Sequence, residues 1–216
     1  MKKYKYLLFD LDGTITDSSE GIYKCFEYAL NHYGIEVEDL NSLRPVIGPP
    51  LKDCFMEMYG FDEETAIEAV AKYRERYADV GIFENRVYDG VYEMFSRLKE
   101  AGYYIVLATS KPETYAKRIL KHFEIDKFFD FVSGATIDGR ISSKEDVINN
   151  IFESLQISDV SEMVMIGDRE FDLAGAKAFG MDAIGVLYGF GGLEELSRYP
   201  SVLLAETPGD VANFLL

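Results

Sequence analysis

Two short acidic groupings contain residue types that can do chemistry together. One is Phe9-Asp10-Leu11-Asp12-Gly13-Thr14 and the other is Gly167-Asp168-Arg169-Glu170-Phe171-Asp172. Carboxylates are hard oxygen ligands of the kind Mg²⁺ takes, usually one or two per ion, with waters and substrate oxygens completing an octahedron. Between the two groupings come Thr109-Ser110-Lys111 and Lys144, hydroxyls and ammoniums that can meet an anionic group. An Asp-x-Asp pair alone carries little weight, because 17 aspartates in 216 residues predict about one such pair by chance. Its weight comes from the Gly-Thr that follows and from the elements that bring both groupings to one place.

Tyr4 to Leu11 is a short apolar run that breaks at Asp-Gly, which predicts a buried strand followed by a loop. Further runs at Tyr103 to Ala108, Met163 to Ile166, Ala183 to Leu187 and Val202 to Leu204 are separated by helical stretches at Val91 to Glu100, Glu113 to Phe123, Glu145 to Leu155 and Phe171 to Phe179. Parallel neighbours need crossover connections, so this alternation predicts a Rossmann-like α/β/α core around a parallel sheet. Ligands of such sheets bind at the carboxyl ends of the strands. Asp10 and Asp12, Thr109 to Lys111, and Asp168 with Asp172 end three predicted strands, and Lys144 opens the helix before the third.

Residues 16 to 86 show no convincing strand and are assigned as an inserted helical subdomain, leaving 1–15 and 87–216 as a discontinuous core. Ile22, Phe26, Ala29, Leu30 and Tyr33 share one helical face, and Pro49-Pro50 opens a second helix running to Met58. A third helix, Glu63 to Ala78, is expected to turn Ile67, Val70, Ala71, Tyr73 and Tyr77 inward.

The chain carries 22 Lys and Arg against 38 Asp and Glu, a net charge of −16, and this field repels nucleic acid and anionic membranes. An anionic substrate would have to be met locally, by a metal ion or a few aimed lysines. The amino-terminal Lys2, Lys3 and Lys5 precede an apolar run of only Tyr6 to Phe9, too short for a signal-peptide core, and no window approaches a membrane span. Cys25 and Cys54 form no Cys-x-x-Cys and read as small buried hydrophobes, while His32 and His122 fit no metal spacing. The expectation is a cytoplasmic protein whose partner is a small molecule, not a nucleic acid polymer or a membrane.

Taken in order, Phe9-Asp10-Leu11-Asp12-Gly13-Thr14, Thr109, Lys144 and Gly167-Asp168-x-x-x-Asp172 resemble the four motifs of the haloacid dehalogenase-like hydrolases. The helical insertion resembles that superfamily's cap of the first type, so the resemblance spans essentially the whole chain. Ile47-Gly48-Pro49-Pro50-Leu51, Ala108-Thr109-Ser110-Lys111-Pro112 and Ile166-Gly167-Asp168-Arg169 are most similar to the branch of phosphoglycolate phosphatases and bacterial 5′-nucleotidase-like proteins. Haloacid dehalogenases proper lack the second aspartate of the first motif; its presence as Asp12 points to phosphoryl transfer.

The resemblance implies an Mg²⁺-dependent phosphatase of small phosphomonoesters, with a cap that closes to exclude water. Nucleoside 5′-monophosphate and 2-phosphoglycolate are its leading substrates. Asp10 would attack phosphorus and become an aspartyl-phosphate, since a carboxylate with a pKa near 4 needs no general base. Two like unit charges at 4 Å repel by about 1 kcal/mol in water and about 4 kcal/mol at an effective dielectric of 20, a cost Mg²⁺ relieves. Asp10, the backbone carbonyl of Asp12 and Asp168 are its implied ligands, with Asp172 behind them. Asp12 would protonate the leaving alkoxide and later deprotonate water. Lys144 would neutralise the phosphoryl group and Thr109 would bond its oxygens. Ser110, Lys111, Arg44 and Gly48 are candidate substrate contacts. The alternatives are a sugar phosphomutase with the same motifs, or a non-enzymatic phospho-receiver switch; receivers carry no such helical insertion.

Overall fold

The computed structural model describes residues 3–216, so Met1 and Lys2 of the basic amino-terminal segment lie outside the described residues. The strands are β1 (Tyr6–Phe9), β2 (Thr16–Asp17), β3 (Arg86–Val87), β4 (Tyr104–Pro112), β5 (Phe131–Ala135), β6 (Met163–Gly167), β7 (Asp182–Val186) and β8 (Leu203–Ala205). Six form one sheet in the order β5-β4-β1-β6-β7-β8, with every neighbouring pair parallel. From β1 the chain builds outward through β4 and β5, then returns past β1 to β6 and continues to β7 and β8. Reversals of this kind open a crevice at the carboxyl ends of the strands that flank them. Here those strands are β1, β4 and β6, the ones that end in Asp10, Thr109 to Lys111 and Asp168.

The helices are α1 (Ser19–His32), α2 (Leu51–Tyr59), α3 (Glu63–Tyr77), α4 (Val91–Glu100), α5 (Glu113–His122), α6 (Lys144–Leu155), α7 (Glu170–Ala178), α8 (Leu193–Leu196) and α9 (Pro208–Leu215). β1 is apolar on both faces because both are covered, as parallel sheets require. Leu8 packs with Val106 and Met165 of its neighbours against Val147, Ile148 and Ile151 of α6, Leu173 of α7 and Leu196 of α8. Phe9, pointing the other way, meets Phe95 of α4 edge-on at 5.0 Å between ring centroids. This is the expected three-layer α/β arrangement. No helix among the described residues is long and apolar enough to cross a membrane.

Two parts of the strand reading are corrected. β5 was not foreseen, because Phe-Val-Ser-Gly-Ala is neither a continuous apolar run nor a strict alternation. The interval expected to be free of strands begins and ends in the two-residue strands β2 and β3, which pair with each other.

The chain divides into two compact units, Met1–Asp17 with Val87–Leu216, and Ser18–Arg86. In the second, Phe26 of α1 stacks on Phe55 of α2 at 4.2 Å, and Phe55 stacks in turn on Phe61 at 5.8 Å. The inward face of α3 also differs from expectation. Ala66, Ala69, Tyr73 and Tyr77 are buried, whereas Ile67 is 55% exposed and Ala71 is exposed. The buried set follows the 3-4-4 helical spacing, and its alanines suit the close packing of α3 on α1 and α2. Ala69→Leu should therefore overpack this unit, at a cost of about 1–3 kcal/mol, and lower its thermal midpoint, while Ile67→Ala leaves the midpoint nearly unchanged. Melting both variants by circular dichroism checks the assignment, and the reverse ranking would refute it.

Candidate active site

Asp10 is the first residue past β1, and the chain turns immediately after it. Gly13 takes a φ of +83°, a conformation that L side chains resist, and its N–H donates to the Thr16 carbonyl at 2.8 Å. A Cβ on Gly13 would stand 2.1 Å from Asp168 Oδ2, so the first acidic loop lies directly against the second. Asp168 follows β6, and the first turn of α7 brings Asp172 back over the strand end. There the Arg169 N–H donates to Asp172 Oδ2 at 3.1 Å. Gly167 makes this closure possible, since a Cβ there would lie 2.2 Å from Asp172 Cγ. Carboxylate oxygens of Asp10, Asp168 and Asp172 all fall within 4.8 Å of one another.

Lys144 is both a helix start and a site residue. The reciprocal Ser143–Asp146 box caps α6. The Lys144 side chain leaves that first turn inward, 2% exposed, with Nζ 3.0 Å from Asp10 Oδ1 and 2.7 Å from Asp172 Oδ1. Nζ also donates to the Ala108 carbonyl at 2.8 Å. Gly175 of α7 leaves room for its stem, because a Cβ there would lie 2.9 Å from Lys144 Cγ.

Thr109, Ser110 and Lys111 lie in a bulge of β4. Thr109 pairs with Gly134 of β5 and Pro112 with the next residue, Ala135, so the register shifts between them. The bulge is held by the Lys111 N–H donating to Thr109 Oγ1 at 3.2 Å, and Gly134 accommodates it, since a Cβ there would meet the Lys111 carbonyl at 2.7 Å. Bulges re-aim side chains beside sites, and this one turns Lys111 inward to place Nζ 2.6 Å from Asp12 Oδ2. Thr109 is buried and Ser110 half-buried. The structure thus brings together Asp10, Asp12, Lys111, Lys144, Asp168 and Asp172 within one unit. Arg44 and Gly48 belong to the other unit, Arg44 exposed in the turn Leu40–Val46 and Gly48 at a φ of +114°.

Several contacts around these acids escaped the sequence reading, and Phe190 and Glu195 were not singled out at all. Thr14 Oγ1 donates to Asp168 Oδ1 at 3.3 Å and the Phe190 N–H donates to Asp168 Oδ2 at 2.7 Å. Glu195 Oε1 accepts from Arg169 Nε and from the Glu170 N–H, both at 2.8 Å. The glycine-rich stretch Gly189 to Gly192 was the available signal for this region.

Burial raises Asp10 to about 6; Lys144 opposes the shift, while Asp172 and Asp12 add to it. The expected value near 4 is therefore corrected upward. Asp168 is pushed well above the ordinary carboxylate range by burial and then by the charges of Asp172 and Asp10. Burial works against the Lys144 ammonium, but Asp10 and Asp172 outweigh it and raise its pKa. Three clustered carboxyls, Asp168 and Asp172 buried and Asp10 partly so, thus bring together more negative charge when ionised than the one ammonium offsets. An all-oxygen donor set with that excess fits a hard dication such as Mg²⁺.

An unfolded aspartate titrates near 3.9, and Asp10 in the folded chain near 6. Between those values the folded state binds more protons, so the site lowers stability as pH rises from about 4 to 6. A bound dication removes that penalty. Millimolar Mg²⁺ is expected to raise the thermal midpoint by about 5 °C at pH 7.5 and by less than half as much at pH 5. Asp168→Asn should abolish the shift, and equal shifts at both pH values would contradict the titration of these carboxylates.

The pattern of the haloacid dehalogenase-like hydrolases matches residues 7–186. The chain is 45% identical over 197 residues to a 5′-nucleotidase of Pseudomonas aeruginosa, covering 91% of this chain and 89% of that protein. It is 40% identical over 185 residues to the tyrosine-protein kinase PtkA of Mycobacterium tuberculosis, covering 86% of this chain and 62% of that protein. Its fold superposes with a TM-score of 0.94 on the crystal structure of a predicted phosphatase from Clostridium acetobutylicum, 48% identical, with 98% of this chain and 97% of that one covered. With its acidic loops at the carboxyl ends of β1 and β6 and its match across most of the sequence, the chain belongs to the haloacid dehalogenase-like hydrolases.

Proposed function

We propose that this phosphoric monoester hydrolase acts on small phosphomonoesters through an aspartyl-phosphate at Asp10 and depends on Mg²⁺, with nucleoside 5′-monophosphates and 2-phosphoglycolate as the foremost substrates. The observation that carries this reading is the buried Lys144 ammonium held between Asp10 and Asp172, with the Asp168 carboxyl beside them. Similarity to the Pseudomonas aeruginosa 5′-nucleotidase supports the nucleotide, and the β4 sequence Thr109-Ser110-Lys111 keeps phosphoglycolate beside it.

Asp10 attacks phosphorus as a carboxylate, held by the Lys144 ammonium 3.0 Å away. As its oxygen bonds to phosphorus, the bond to the leaving alcohol breaks and Asp12, entering this step as the carboxylic acid, gives its proton to the alkoxide and is left as the carboxylate. Asp12 then takes a proton from water, which attacks the aspartyl-phosphate, releases inorganic phosphate and restores Asp10. Lys111, 2.6 Å from Asp12 Oδ2, holds that carboxyl at the rim. Lys144 and the Thr109 hydroxyl meet the oxygens of the transferring group. Asp10, Asp168 and the Asp12 carbonyl would hold Mg²⁺, and Asp172 steadies Lys144 behind them. When bound, the ion supplies the positive charge that lets an anionic nucleophile meet a phosphate dianion.

Phosphate release from nucleoside monophosphates, phosphoglycolate and sugar phosphates, with Mg²⁺ or EDTA, tests the proposal. Release should require Mg²⁺, and Asp10→Asn should lose at least about a thousandfold while keeping its circular dichroism spectrum. Near-normal turnover by Asp10→Asn would remove Asp10 as nucleophile, and transfer to a second sugar hydroxyl without free phosphate would identify a phosphomutase.

A further inference from the structure

Beyond β7 the chain reads Leu187-Tyr188-Gly189-Phe190-Gly191-Gly192, and no role in the motifs above accounts for this stretch. In the structure it wraps the two acidic loops. The Tyr188 hydroxyl donates to the Thr14 carbonyl at 3.0 Å, and Thr14 Oγ1 donates onward to Asp168 Oδ1 at 3.3 Å. The Tyr188 ring meets Tyr88 edge-on at 5.1 Å, which keeps the hydroxyl in line. Gly189 is wedged between the loops, since a Cβ there would lie 2.3 Å from the Gly13 carbonyl and 2.5 Å from Asp168 Oδ2. The next N–H, that of Phe190, donates to Asp168 Oδ2 at 2.7 Å. Gly191 lies against the backbone of the same aspartate, a Cβ there falling 2.0 Å from the Asp168 carbonyl. Both carboxylate oxygens of Asp168 are thus engaged, one by Thr14 and one by Phe190, and the glycines are what let the peptide come close enough. Gly192, one residue on, has open space where its Cβ would be.

We propose that Tyr188 to Gly191 is a strap of positioning residues that fixes the Asp168 carboxylate in the orientation needed to bind the metal ion. This rests on the reading of Asp168 as a metal ligand. The strap touches no reacting atom. It restricts Asp168 to one rotamer, and groups that orient a metal ligand in this way typically affect affinity tenfold to a hundredfold.

Binding of Mn²⁺ to the substrate-free protein, followed by electron paramagnetic resonance, tests it, with the thermal midpoint and the turnover at saturating metal measured in parallel. Gly189→Ala and Tyr188→Phe should each weaken Mn²⁺ by about tenfold or more. Turnover at saturating metal should largely recover, and Gly192→Ala should bind as the wild type does. Tyr188→Phe removes a single hydroxyl, so it decides the matter if Gly189→Ala does not fold. A lowered thermal midpoint with unchanged Mn²⁺ affinity in Tyr188→Phe would overturn the strap and leave a merely structural segment. A wild-type protein that binds no Mn²⁺, or an Asp168→Asn protein that binds it as tightly as wild type, would overturn the metal reading itself and the strap with it.

Discussion

Lys144 is a single buried ammonium that has to serve a crowd of carboxylates with little access to water, and much of the surrounding architecture follows from that imbalance. Removing one partner of a buried pair costs about 3–5 kcal/mol, because the charge left behind has no solvent. Lys144 therefore ties together segments far apart in sequence: Asp10 after β1, the Ala108 carbonyl of β4, and Asp172 in α7. Its own place depends on the cap of α6, which fixes where the helix begins and so where the first side chain leaves it. When these acids are ionised the negative charge left over is a liability to stability, and it is the kind of charge that a dication offsets.

The acids crowd because glycines surround them. Gly13, Gly167 and Gly175 each stand where a β-carbon would collide with Asp168, Asp172 or Lys144, and Gly134 gives the β4 bulge its room. Only the first of these also needs a backbone conformation closed to other residues. The rest are glycines for space, so charge density in this site is set by backbone approach as much as by the acidic residues themselves.

Much of this arrangement was legible in the sequence. Apolar runs ending in Asp10 and Asp168 announced both the strands and the side at which their chemistry would gather, because a parallel sheet buries its strands on both faces and opens at their ends. Lys144 was readable only as a helix start joined to a motif; that its ammonium turns inward depends on Gly175 of another helix, which no local pattern reports. β5 escaped for want of an apolar run. With it went the bulge opposite, and hence the reach of Lys111 to Asp12. In α3 the large Ile67 drew the predicted face one position away from the small residues that pack. The upward shift of Asp10 could not be read either, since it reflects burial beside acids that arrive from distant parts of the chain.

The position of β1 has a consequence for how the protein comes into being. Tyr6 pairs with Tyr104 on one side and with Met163 on the other, so the strand that leads into Asp10 has no neighbour in the sheet until long after it has been synthesised. Parallel pairings at such separation are slow to form, because the intervening chain must be closed into a loop before any contact rewards it. During that wait the first strand is an exposed apolar segment, a natural target for chaperones and for misassembly. The acids gather only when the last third of the chain has docked, so folding intermediates that lack it present neither the acidic cluster nor the ion pairs of Lys144.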